Sequence, residues 1–350
     1  MIVKIGFDPT SAHLHLGHLV LFRRLRKMQE DGHTVIAIIG SYTAKIGDPS
    51  GKNQTRPMLT DSDIANNRET YRDAIHKFLD IDRTIILDNQ EWLPQFMQHD
   101  FMRVASHFTV AQILERKDFS KRFSEHNPIG IHELLYPILQ GYDSYHVGAD
   151  VEFGGVDQLF NLNAGRDVQR FYNKTPQTIE TVPLLIGLDG VQKMSKSYGN
   201  AIGLTETSFD IYAKTMSLPD RLLPHYYDLL MDEPLGSEPY EAKKRLAHSL
   251  TAQCYNVTEA TMAQKEWMDK VSEKRVATCE VKLSSEIFPI KLSKFVKEIG
   301  LAESVKEAER KIKEGSVKID DISIRWAEVE ASISGKIVRV GKKSVKVIVQ

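Results

Sequence analysis

Two clusters of residues carry side chains that could do chemistry. His15-Leu16-Gly17-His18 sits where a short apolar run, Ile2 to Phe7, gives way to a helical pattern. If that run is a strand of a parallel sheet, the turn lies at its carboxyl end, where such sheets bind ligands. Gly17 lets another group approach the backbone closely. The imidazoles can donate hydrogen bonds to phosphate oxygens, and a helix N-terminus favours negative charge. Histidines that only cap a surface turn would read the same way. The second cluster is Lys193-Met194-Ser195-Lys196-Ser197, two lysines three residues apart with hydroxyls between and beside them. A mobile loop of this kind suits the clamping of a triphosphate, although a solvated Lys/Ser loop has the same composition.

A third group lies between them. Tyr136, Gln140 and Asp143 are spaced i, i+4, i+7, so one helix face presents all three. A phenol, an amide and a carboxylate together make a pocket for an amino acid; the plainer reading is a core tyrosine and a helix-end acid. Lys52 and Arg56 follow a Gly/Pro loop. They are either counter-charges for a phosphate or ordinary surface charge.

These residues need elements to position them. Ile2 to Phe7 predicts a buried strand, broken by Asp8-Pro9. Leu19, Phe22, Leu25 and Met28 recur at helical spacing, and Gly32 is placed to end that helix. Thr34 to Ile39 is a β-branched run that predicts a second strand. Strand, helix, strand implies a right-handed crossover and a parallel sheet. Residues 60–125 are polar and helix-rich, and Ile131 to Tyr145 is helical in pattern. Val151 to Phe153 predicts a short strand ending at Gly154-Gly155, and Val182 to Leu188 another, closed by Asp189-Gly190. Residues 208–270 read as helical and Val276 to Glu286 as a linker. The last segment has a helix from Ser304 to Glu314 and alternating strands such as Ser344 to Val349.

Bulk properties bound the class. A chain of 350 residues predicts two or three domains. Hydrophobic content of 41% and charged content of 27% are those of a globular protein. No apolar run reaches the length that spans a bilayer, and no charged-then-apolar leader opens the chain. Cys254 and Cys279 lie in no metal-ligand spacing, which fits a reducing compartment and predicts no protein metal site. Net charge is −1, yet residues 288–350 hold 14 Lys/Arg against 9 Asp/Glu. A basic tail on an acidic body predicts a polyanion partner.

The two clusters together resemble the double signature of class I aminoacyl-tRNA synthetases, with Lys193 standing 175 residues after His18. The surrounding residues resemble the bacterial-type tyrosyl-tRNA synthetases with a Lys-Met-Ser-Lys-Ser loop. Gly6-Phe7-Asp8-Pro9-Thr10 is similar to that family's first-strand motif, and Gly47-Asp48-Pro49-Ser50-Gly51-Lys52 to the next, with Arg56 at the family's spacing. Tyr136, Gln140 and Asp143 resemble its tyrosine-binding helix, and Gly154-Gly155-Val156-Asp157-Gln158 its ribose and substrate loop. Leu292 to Asp320 resembles a small RNA-binding domain first known from a ribosomal protein. The tryptophanyl enzymes share the double signature but not this set of pocket motifs or the tail. A non-catalytic RNA-binding relative is the other alternative, and the intact lysines and pocket residues speak against it.

The resemblance implies an α/β fold. Residues 1–205 would form a Rossmann-like parallel-sheet catalytic domain with a helical insert near 90–150. A helical anticodon-arm domain over 206–275, a linker over 276–287 and a small α+β RNA-binding domain over 288–350 would follow. It implies that Asp48, Tyr136 and Gln140 hold a substrate ammonium, that Asp143 accepts from a phenol hydroxyl, and that Gln158 completes the tyrosine pocket. ATP would lie against Gly6, Asp8, Thr10, His15, Gly17, His18, Gly155, Asp157, Lys193, Lys196 and Ser197. Asp157 and Gly155 would take the ribose, while Lys52 and Arg56 would neutralise departing pyrophosphate. Magnesium is expected with the ATP, tRNA(Tyr) as the partner, a homodimer, no membrane and a cytoplasmic setting. There are two departures. The family carries a longer stretch ahead of its first strand, which a natural short form or a shortened sequence would both explain. Many members also place a second phenol-binding tyrosine where this chain has Lys4; members with the Lys-Met-Ser-Lys-Ser loop often differ there, so the resemblance implies a subgroup difference, the alternatives being that Lys4 meets a carboxylate or serves the scaffold.

Overall fold

Strand β1, Ile2–Phe7, alternates in a way that organises the site around it. Val3, Ile5 and Phe7 turn to one face and join the main core, so Lys4 and Gly6 turn to the other. Helix α1, Leu16–Glu30, packs Leu16, Leu19, Val20, Phe22 and Leu25 into that core. It ends before Gly32, whose φ of +91° a side chain would resist. Strand β2, Thr34–Ile39, pairs parallel with β1 over its whole length. The computed structural model describes residues 1–50, 59–276, 279–320, 322–324, 328–341 and 343–350.

Next come α2 (Ser41–Ile46), α3 (Asp61–Phe78) and β3 (Thr84–Asp88). A run of short helices follows: α4 (Leu93–His99), α5 (Phe101–Ala105), α6 (Val110–Leu114) and α7 (Lys117–Ser124). The long α8 (Ile131–His146) leads to β4 (Val151–Gly155), α9 (Leu159–Phe171) and β5 (Thr178–Val182). The sheet order is β3-β2-β1-β4-β5, parallel at every pairing. The chain therefore winds outward from β1 in one direction and returns to begin β4 on its other side. This switch point opens a crevice at the carboxyl ends of β1 and β4. Ile36, Ile38, Trp92, Phe96, Ile138 and Leu139 form a second core on the opposite face of the sheet.

Two sequence expectations change here. Thr84–Asp88 is a strand inside the stretch read as helix-rich. The strand expected over Val182 to Leu188 is instead Thr178–Val182. Pro183 follows it and has no N–H to extend a ladder; beyond it only an isolated bridge joins Ile186 to Lys193.

Helices α10 (Ser208–Met216), α11 (Leu223–Leu230), α12 (Pro239–Cys254) and α13 (Val257–Val276) follow. The chain divides into two compact units, Met1–Gln264 and Lys265–Gln350, with the division inside α13. In the second unit β6 (Cys279–Leu283), β7 (Ile290–Lys291), α14 (Leu292–Glu298) and α15 (Val305–Lys313) precede β8 (Val317–Ile319). Then come β9 (Ile322–Ser323), β10 (Glu328–Val329), β11 (Ile337–Val340) and β12 (Lys343–Val349). The five-stranded sheet runs β6-β12-β11-β8-β9. The stretch read as a linker thus contains β6, which pairs parallel with β12 from Cys279 to Leu283. Phe295, Val296, Val317, Val338 and Val347 anchor this unit's own core. No described helix is long and apolar enough to cross a membrane.

Candidate active site

The crevice at the switch point is a cleft of about 330 Å³. His15 caps α1 with its own ring: Nδ1 accepts from Gly17 N at 3.2 Å, and the His15 backbone N–H donates to His18 Nδ1 at 3.2 Å. Each Nδ1 is an acceptor, so in the neutral ring the proton sits on Nε2. Burial drives both imidazoles well below their ordinary range, His18 to about 4 and His15 lower still under the added influence of His18 and Lys193. At neutral pH the pair therefore offers two uncharged Nε2–H donors. The capping reading and the phosphate reading of this motif are compatible, because capping uses one nitrogen and frees the other.

Lys193 reaches the same cleft and its Nζ pairs with Asp157 at 2.7 Å. The loop is braced by the buried Asn200. Its Oδ1 accepts from Ser195 N at 2.8 Å, and its Nδ2 donates to Asp189 at 2.7 Å and to the Lys193 carbonyl at 3.2 Å. Lys196 and Ser197 are exposed. Neither lines this cleft; Lys196 borders a neighbouring depression with His13, His15 and Gly203. Lys52 and Arg56 lie outside the described residues.

Opposite in chemistry is an acidic cluster. Tyr136, Gln140 and Asp143 all line the cleft from α8. The Tyr136 hydroxyl donates to Asp8 Oδ2 at 2.8 Å, and Thr43 Oγ1 donates to Asp8 Oδ1 at 2.7 Å. Burial, with Asp48 and Asp143 adding to it, pushes the Asp8 carboxyl up to about 7. Burial and the same carboxylates hold the Tyr136 phenol well above its usual range, so it keeps its proton and donates. Asp48 accepts from Gln158 Nε2 at 2.7 Å and from the Ser50 N–H at 2.9 Å. Asp143 is buried and accepts from the Trp92 indole at 2.8 Å and from Asn89 Nδ2 at 3.1 Å. Burial raises its carboxyl to about 6 against the opposing pull of Lys4. Gly6, Thr10, Gly17, Gly155, Asp157 and Gln158 also line the cleft.

Lys4 meets a carboxylate, resolving the alternative left by the sequence. Its Nζ contacts Glu152 at 2.7 Å, and both side chains are fully buried. Sequence reasoning missed Glu152, Trp92, Asn89, Thr43 and Asn200. Asn89 and Trp92 lie in a turn and helix start just after the unforeseen β3, so no motif marked them. Glu152 was readable only as the residue before Phe153-Gly154-Gly155 on a predicted strand.

Residues 1–299 match the family model described as tRNA synthetases class I (W and Y). The chain belongs to this family. Among its relatives within this synthetase family is a tyrosine–tRNA ligase of Aquifex aeolicus (strain VF5), 44% identical over 97% of this chain and 89% of that protein. Another, from Syntrophotalea carbinolica, is 42% identical over 97% of this chain and 88% of its own length. The synthetase fold is shared with the crystal structure of a tyrosyl-tRNA synthetase from Aeropyrum pernix. That likeness has a TM-score of 0.60 at 18% identity, over 78% of this chain and 90% of the other. A Plasmodium falciparum tryptophanyl-tRNA synthetase shares the fold with a TM-score of 0.57 at 17% identity, over 77% and 78% of the two chains.

Proposed function

We propose that this synthetase is a tyrosine–tRNA ligase that activates tyrosine with ATP and then esterifies tRNA(Tyr). One observation carries the reading at the site: a single cleft joins an acidic cluster, Asp8, Asp48 and Asp143, to a donor cluster, His15, His18 and Lys193. The first suits an amino acid's ammonium and phenol, the second a polyphosphate.

Tyrosine binds with its ammonium against Asp48, Tyr136 and Gln140, its hydroxyl donating to Asp143, and Gln158 closing the pocket. A cation entering beside Asp8 draws that carboxyl back toward its ionised form. A tyrosine carboxylate oxygen attacks the α-phosphorus of ATP, and the bond from that phosphorus to the bridging oxygen breaks to release pyrophosphate. Such a displacement needs positioning and charge stabilisation more than covalent help. The Nε2–H donors of His15 and His18 serve the phosphate oxygens, while Lys193 and Lys196 meet the charge that grows on pyrophosphate. Lys52 and Arg56 are assigned to the same charge. Asp157 and Gly155 hold the ribose, and Gly6, Thr10 and Gly17 complete the ATP contacts; Lys196 and Ser197, exposed beside the cleft, reach the ATP only when their loop moves toward it. Magnesium enters with the ATP as part of that substrate. A terminal ribose hydroxyl of the tRNA then attacks the tyrosyl carbonyl carbon and AMP leaves.

Residues 206–275 and the basic segment 288–350 are assigned to tRNA contact, in a cytoplasmic setting. The exposed apolar side chains Met102, Val110, Phe123, Ile131, Val156 and Leu159, in and beside the insert, support a homodimer. Pyrophosphate exchange measured across the amino acids tests the reading. Exchange with tyrosine alone is expected, and exchange with tryptophan, or none, overturns it.

A further inference from the structure

We propose that the buried Lys4–Glu152 pair is a positioning device for Gln140, fixing its amide so that the carbonyl oxygen faces the cleft and accepts from the substrate ammonium. The inference rests on the tyrosine reading above and adds two residues to it.

Lys4 and Glu152 are direct neighbours across β1 and β4 in the parallel register. Their side chains are 0% and 1% exposed. Glu152 carries four donors. Oε1 accepts from Lys4 Nζ at 2.7 Å and Gln140 Nε2 at 3.2 Å, and Oε2 from Ser144 Oγ at 2.8 Å and from Gln177 Nε2. Lys4 spends its three N–H bonds on Glu152, on Ser144 Oγ at 2.8 Å and on the Gln140 main-chain carbonyl at 3.1 Å. Gln140 is therefore gripped twice, by its main-chain oxygen and by its side-chain nitrogen.

The direction of that grip matters. A carboxylate engaged with a lysine only accepts, so the Gln140 amide must turn its NH₂ toward Glu152. Gln140 lines the cleft, and its Oε1 has no hydrogen-bond partner among the described residues. Reversed, the amide would meet an ammonium donor against donor. The neutrality of the pair matters as well. A lone Glu152 would compete for the ammonium, and a lone Lys4 would repel it. Together they add no net charge and leave the attraction to Asp48 and Asp8.

The test uses Glu152→Gln and the double variant Lys4→Met/Glu152→Gln. A glutamine at 152 presents both donor and acceptor, so it no longer dictates how Gln140 lies. The double variant removes both charges at similar volume, a change that buried pairs commonly tolerate. Tyrosine and 3-(4-hydroxyphenyl)propanoate, which is tyrosine without its ammonium, are titrated calorimetrically into wild type and variants at pH 8, well above the Asp143 value of about 6 on which Lys4 acts. In the double variant, where no lone Lys4 repels the ammonium, tyrosine is expected to bind about tenfold or more weaker, as befits loss of a hydrogen bond to a charged group, while the ligand lacking ammonium shifts less than about twofold. The KM for ATP should stay with the second ligand. Equal weakening of both ligands, or of neither, overturns the inference, and so does failure of both variants to fold. Wild-type exchange with tyrosine is measured separately. Its absence removes the functional reading, whereas the two-ligand comparison still decides what Glu152 does.

Discussion

The indole nitrogen of Trp92 donates to the Asp143 carboxylate at 2.8 Å, from a turn that the sequence did not mark. With Asn89 on the other oxygen, this bond aims a buried acid along the cleft wall. Phenylalanine differs from tyrosine only by the hydroxyl that such an acid would accept from. Asp143→Ala should therefore lower kcat/KM for tyrosine by about 10-fold to 100-fold and for phenylalanine much less, the scale of a hydrogen bond to a charged group. Circular dichroism checks the fold. Equal losses for both substrates would make Asp143 a scaffold residue.

The same carboxyl makes a pH prediction. Its raised value of about 6 means that kcat/KM for tyrosine should fall as pH drops through 6, with no matching fall for phenylalanine. The sign for stability is opposite. A carboxyl that holds its proton more tightly when folded contributes stability below its unfolded value near 4, lost as pH rises through its folded value near 6. Asp143→Asn should flatten that part of the melting profile, measured by calorimetry between those two pH values.

His15 separates capping from catalysis. Asparagine places an acceptor where Nδ1 lies and is a good helix cap, but it has nothing at Nε2. His15→Asn should keep the Tm and slow adenylate formation by about 100-fold, the usual effect of losing one donor to developing charge. His15→Gln, with an amide reaching the Nε2 position, should lose less rate and more Tm. Stopped-flow activation and thermal melts read the two separately. Equal rates in the two variants would refute the tautomer assignment.

Lys193→Ala and Lys196→Ala should each slow activation by about 100-fold while tyrosine binding barely changes, because their contact grows as pyrophosphate departs. Single-turnover rates beside equilibrium titration check this. A normal rate in either variant would make that lysine ordinary surface charge.

The second unit suggests where to cut the chain. Removal of 288–350 would take β12 away from β6, so truncation belongs after Val276. The shortened protein should still exchange pyrophosphate with tyrosine but lose tRNA charging. Charging by the full chain should weaken steeply as salt rises, through counterion release. Normal charging by the truncated protein at physiological salt would remove the tail from tRNA contact.

What the sequence disclosed follows from how local each signal is. Helix α1, strand β2 and helix α8 announce themselves by period and punctuation, and the residues on one face of α8 do meet in one cleft. Strand β3 hid because Thr84–Asp88 is short and sits among polar residues without Gly or Pro at its edges. Strand β6 hid because its partner, β12, lies at the far end of the unit. The donors to Asp143 could not be read at all, and for Lys4 the sequence offered a carboxylate without saying which. Each of those contacts joins residues that only the switch-point topology brings together.

The Lys4–Glu152 register also bears on how this pocket could change over time. To replace this pair by single substitutions, a lineage must first strand Glu152 or Lys4 without its counter-charge in a dry interior. That intermediate loses about 3–5 kcal/mol, much of what holds a typical domain folded. The two positions should therefore be exchanged together or not at all.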